Sequence, residues 1–198
     1  MKYLNIGISV LFACLLFGQV QTHLPFQLCQ LEHTNLFLGD WDAFLASLQQ
    51  MGGAVKWLGT YGIQFFDRPI IGGIIFLLPV MGLFATTACV LRRRTKSHWL
   101  WVPLAAWPAV AQLLSLYDFN FYWWGALALC LAMGVLWFWS LLKPSLTRNI
   151  LFAFSIPFIA WLLGAVVLVY VLAGICLFVD KKSWKLAWLV PVTLYIVS

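Results

Sequence analysis

Asp40-Trp41-Asp42 sets two carboxylates on either side of one aromatic residue, in the longest polar stretch of an otherwise apolar chain. Carboxylates so spaced can serve as a general base, or hold a divalent cation that bridges the phosphates of a substrate. The same residues also have a purely structural reading. Asp40 is a good helix N-cap, and Asp42 in the first turn would complement the helix dipole. The surrounding loop holds most of the acids of the chain, Glu32, Asp40, Asp42 and Asp67, and only two bases, Lys56 and Arg68.

Other chemistry finds less support. His23 and His33 flank Cys29 and Glu32, but none follows the Cys-x-x-Cys or His-x-x-x-His spacing of zinc sites. Serine and threonine are scattered, with no G-x-S-x-G elbow and no partner histidine. Cys14, Cys89, Cys130 and Cys176 lie in apolar stretches, so a disulfide framework is not expected. Every charged residue falls at a segment end or in a loop, including Asp118 in the short turn 117–120. Ion-coupled transport, which places ionisable groups at membrane depth, is therefore disfavoured. No cofactor or metal is specified by these residues.

The elements that must position the acids are apolar. The chain is 64% hydrophobic and 9% charged, with a mean hydropathy of +0.94, whereas about 25% of residues are charged in soluble domains. The lipid bilayer is the expected partner. The net charge of +6 comes from small clusters at the ends of apolar stretches, not from a stripe, so nucleic acid is not expected as a partner.

The fold class expected is all-α: a polytopic helical membrane protein with four full spans, a re-entrant or broken hairpin, and a partial terminal helix. Residues 1–20, with Lys2 before an apolar core and no small-x-small cleavage site, read as an uncleaved signal anchor. Residues 69–91, 99–116 and 121–142 have lengths suited to single spans, and 184–198 make a partial one. The run Arg92-Arg93-Arg94-Thr95-Lys96 and Lys2 then share one side, which the positive-inside rule makes cytoplasmic, in a bacterial cytoplasmic (inner) membrane. Residues 21–68 become an outer loop.

Residues 150–179 are long for one crossing and short for two. A single crossing leaves seven basic residues inside and five outside, whereas a reversal near Leu163-Gly164 leaves ten inside and only Lys56 and Arg68 outside. Charge favours the reversal, at the cost of a polar turn at membrane depth. Tryptophan and tyrosine gather where interfaces would lie, as at Trp99 and Trp101, Tyr122 to Trp124, and Trp137 and Trp139.

The outer loop is too long for a bare connector. Trp41, Phe44, Leu45 and Leu48 recur at the spacing of one helical face, Gly52-Gly53 ends that pattern, and Trp57, Tyr61 and Phe65 repeat every fourth residue. Two short amphipathic helices along the outer surface are expected.

Two resemblances bear on this loop. In position and composition Asp40-Trp41-Asp42 resembles the acidic D-x-D-like element in the first external loop of GT-C-fold membrane glycosyltransferases, which use lipid-linked sugar donors. That likeness implies Asp40 or Asp42 as the catalytic carboxylate, with Glu32 as a helper, and a lipid-linked sugar or polyprenyl phosphate as substrate. More of the chain is covered by the second. Gly52-Gly53, Trp57-Leu58-Gly59, Gln64-Phe65-Phe66, Pro69, Gly72 and Trp161-Leu162-Leu163-Gly164 resemble the N-terminal part of an uncharacterised family of large bacterial multi-pass membrane proteins. This second likeness implies a chain that continues beyond Ser198 and no established activity. The expected function is handling of a lipid-linked substrate at the outer face. The alternative is a non-catalytic scaffold, an assembly module or a truncated remnant.

Overall fold

The computed structural model describes residues 2–23, 30–31, 33, 37, 39–94, 101–118, 122–143 and 146–178. Within them the chain is helical and contains no strand. The helices are α1 (Lys2–His23), α2 (Trp41–Leu48), α3 (Gly53–Ile63), α4 (Pro69–Arg94), α5 (Trp101–Leu116), α6 (Trp123–Leu141), α7 (Leu146–Leu163) and α8 (Val167–Phe178). A 3₁₀ turn, Gly164–Val166, joins the last two. Glu32, Cys29, His98 and residues 184–198 lie outside the described residues.

By length and composition, three stretches could cross a membrane: Ile70–Arg93, Trp123–Leu141 and Thr147–Leu177. Gly7–Thr22 and Trp101–Leu116 are shorter apolar helices.

Helix α4 lies at the centre, packed by α1, α5 and α6. It runs parallel to α6, because both pairs of ends are joined. At one end the Trp123 indole Nε1–H donates to the Phe76 carbonyl at 3.1 Å. At the other Arg93 Nη1–H donates to the Ser140 carbonyl at 3.1 Å. Small residues let the helices approach. Ala126, Ala128 and Ala132 of α6 are fully buried, as are Ala105 and Ala109 of α5, and a side chain at Gly82 of α4 would strike the Cys130 sulfur. Close backbone approach of this kind lets the helices pack in contact along their length.

Thr147–Leu177 is long and largely apolar, but it is not one straight helix. A continuous helix would separate Phe152 from Tyr170 by about 27 Å, whereas their ring centroids are 5.1 Å apart. The Ser155 and Tyr170 hydroxyls share a hydrogen bond at 2.8 Å, and Gly174 leaves room for the Phe152 ring. The chain turns back at Leu163-Gly164, where Gly164 takes φ +67°. That left-handed conformation costs any residue with a Cβ about 1–2 kcal/mol. At about 1.5 Å per residue, the arms α7 and α8 are about 27 Å and 18 Å long.

The tip of this hairpin is covered. Carbonyls in the last turn of a helix have no partner within it, but the Trp161 carbonyl accepts the Gly52 N–H at 2.8 Å. The donor comes from the turn between α2 and α3, so the α2–α3 hairpin supplies what the fold-back exposes.

Candidate functional site

Two of the acids predicted from the sequence, Asp40 and Asp42, lie at the start of the α2–α3 hairpin. Asp40 occupies the N-cap position of α2, with extended backbone at φ −74° and ψ 145°, and its carbonyl accepts the Phe44 N–H at 3.1 Å. Its carboxylate makes no capping hydrogen bond. Asp42 lies in the first turn of the same helix, and both acids are exposed. Trp41, between them, is 69% exposed. Asp40 and Asp42 thus share one helix start, while Glu32 lies outside the described residues. Among the described residues no three of His, Cys, Asp and Glu gather in a way that could hold a metal ion.

The rings of the hairpin are better organised than its acids. Trp41 meets Phe44 at 5.3 Å between centroids, Phe44 meets Trp57 edge-on at 4.9 Å, and Trp57 stacks on Tyr61 at 6.5 Å. Phe37 touches both Trp57 and Tyr61, and Tyr61 meets Phe65 at 5.4 Å. Aromatic pairs of this kind add about 0.5–1.5 kcal/mol each beyond the area they bury. Trp57 and Tyr61, one turn apart, form this face of α3, Phe65 continues it just past the helix end, and the rings hold α2, which has no buried residue of its own.

The opposite face of α3 seats the hairpin on the bundle. It buries Gly53, Val55, Gly59 and Ile63, one residue per helical turn from Val55 onward. A side chain at Gly59 would overlap the Trp124 Cβ, and one at Gly62 would meet the Trp123 ring at 2.9 Å. Trp161 makes the second attachment. Its indole Nε1–H donates to the Leu48 carbonyl at 2.9 Å, while its own carbonyl takes the Gly52 N–H. The result is a surface attached at two places that exposes Trp41, Leu45, Met51, Leu58 and Tyr61.

Three buried polar side chains escaped the sequence reading. Arg148 is 7% exposed, although its position at the start of α7 reads as a solvated flank. Gln112 of α5 and Thr87 of α4 are also buried, and neither Gln112 Nε2 nor Thr87 Oγ1 has a hydrogen-bond partner among the described residues. Gln112 was visible in the sequence as a lone amide within an apolar helix. Nothing local marks Arg148, since burial there depends on how the helices pack.

No match is found among curated proteins or among solved structures. A family model does match, along residues 1–198. The chain belongs to DUF6057, a family of unknown function.

Proposed function

We propose that this chain is a multi-pass protein of a bacterial cytoplasmic membrane and acts there as a non-catalytic scaffold, a helical bundle holding a rigid aromatic platform in the outer headgroup layer. The N-terminus and residues 92–96 face the cytoplasm in this reading, and residues 21–68 face outward. The observation that carries it is the double attachment of the α2–α3 hairpin to the fold-back tip through Trp161. A surface so held presents Trp41, Leu45 and Tyr61 at a fixed height, and such amphipathic rings favour the interface. Asp40 at the N-cap position and Asp42 in the first turn both stand at the positive end of the α2 dipole, which supports a structural role for the two carboxylates.

One observation favours a second reading, an enzyme of GT-C type acting on a lipid-linked sugar or polyprenyl phosphate. The exposed face of Trp41 lies between the two carboxylates in sequence, and an aromatic face beside a carboxylate suits the apolar face and hydroxyls of a sugar.

Complementation separates the two. In cells whose own copy is deleted, the double variant Asp40→Asn, Asp42→Asn is expected to restore the cell-envelope phenotype fully, and Trp41→Ala with Tyr61→Ala is expected to restore it only in part. Loss of complementation by the Asn variant, at unchanged protein level in the membrane, would replace the scaffold with the enzyme.

A further inference from the structure

We infer that the groove between α1, α4 and α5 binds the acyl chain of an anionic phospholipid, with the lipid phosphate on Arg92. The cavity has a volume of about 310 Å³ and opens at the surface of the bundle. Met81, Phe84 and Ala88 form its floor, Ser9 of α1 and Trp101 of α5 its walls, and Arg92 its end. Apart from the Ser9 hydroxyl, the lining is apolar until it reaches the guanidinium.

Two features identify the occupant. The first is length. From Met81 to Arg92 the helix rises about 16 Å, close to half of the roughly 30 Å hydrocarbon core, so the groove has the reach of a chain in one leaflet. The second is charge. Arg93 is engaged by the Ser140 carbonyl, whereas Arg92 lines the groove. A guanidinium suits a phosphate, and basic pockets between helices on the cytoplasmic side bind anionic headgroups. Trp101, at the start of α5, lies at the same end and marks the headgroup level.

The inference rests on the membrane reading above, so the experiment tests the two apart. Resistance of the full chain to alkaline extraction from membranes reads insertion alone. Retained lipid is then measured by native mass spectrometry of the full chain released from nanodiscs of mixed phosphatidylglycerol and phosphatidylcholine. Wild type is expected to retain phosphatidylglycerol selectively. Arg92→Gln should lower that retention about fivefold, the effect of one basic residue near an anionic surface, and Ala88→Trp should abolish it by filling the floor. As a check independent of folding, the exposed thiol of Cys89, which also lines the groove, should alkylate about fivefold more slowly in phosphatidylglycerol than in phosphatidylcholine discs. Equal retention in wild type and both variants, or equal Cys89 rates, would overturn the site. Displacement of phosphatidylglycerol by inorganic phosphate with Ala88→Trp unaffected would also overturn it, since the anion alone would then be bound.

Discussion

Gly52 and Gly164 meet backbone to backbone. A Cβ on Gly52 would lie 3.3 Å from the Gly164 Cα, and the two residues hold φ of 74° and 67°. One turns the α2–α3 hairpin and the other reverses the α7–α8 hairpin, so a single contact joins two bends far apart in sequence. Each bend needs a glycine for its own conformation, and the contact needs both.

Alanine at either position should therefore destabilise the bundle by about 1–2 kcal/mol from backbone strain alone. Crowding at the contact adds to that strain. Thermal unfolding in detergent should show a lower Tm for Gly52→Ala and Gly164→Ala. Gly134→Ala is the control. It lies within α6 with nothing within 4 Å of its Cβ position, and relief of helical glycine entropy predicts a neutral change or a gain of about 0.5–1 kcal/mol. A fall in Tm of the same size at all three positions would contradict the contact.

The fold-back at Gly164 predicts a crosslink. With the native cysteines replaced, Ser155→Cys and Tyr170→Cys should join through a short bifunctional thiol reagent, because the native hydroxyls are 2.8 Å apart. A straight helix would hold the two positions about 22 Å apart and forbid the product. The native hydrogen bond itself contributes modestly, about 0.6 kcal/mol for an average pair between membrane helices, so replacing it should leave the hairpin intact.

Trp161→Phe keeps most of the ring and loses the donor to Leu48. A net loss of about 1 kcal/mol is expected. Limited proteolysis should then cut more readily between Leu48 and Gly53, the turn that this indole holds. An unchanged cleavage rate would place the strength of the attachment elsewhere, in the Gly59–Trp124 approach.

The sides of the membrane can be read by labelling single cysteines in cells. Lys56→Cys and Ala165→Cys should react with an impermeant thiol reagent from the same side, since the α2–α3 turn touches the hairpin tip, and in the proposed orientation that side is the outside. Arg93 and Ser140 bring the ends of α4 and α6 together, so Lys143→Cys and Arg92→Cys should share the other side, and in the proposed orientation should react only after permeabilisation. Labelling of positions 56 and 165 from opposite sides would contradict the arrangement of the hairpins.

The sequence alone determined the helical class and, among the described residues, the places where two of the turns fall. Hydropathy, charge at segment ends and glycine at bends are local properties, and the stretch 41–65 carries its own helical periodicity. Residues 163–164 stood out for the same reason, because the distribution of lysine and arginine on either side argued for a reversal there. The Asp40 and Asp42 pair was equally visible, but its exposure at a helix start was not, since exposure depends on what packs nearby. Only the tertiary structure brought Trp161 to Leu48, 113 positions away, laid Gly52 on Gly164, and enclosed Arg148 and the groove at Arg92. Such pairings follow from close packing of whole helices against one another, where small residues, rings and unpaired carbonyls must all be matched together.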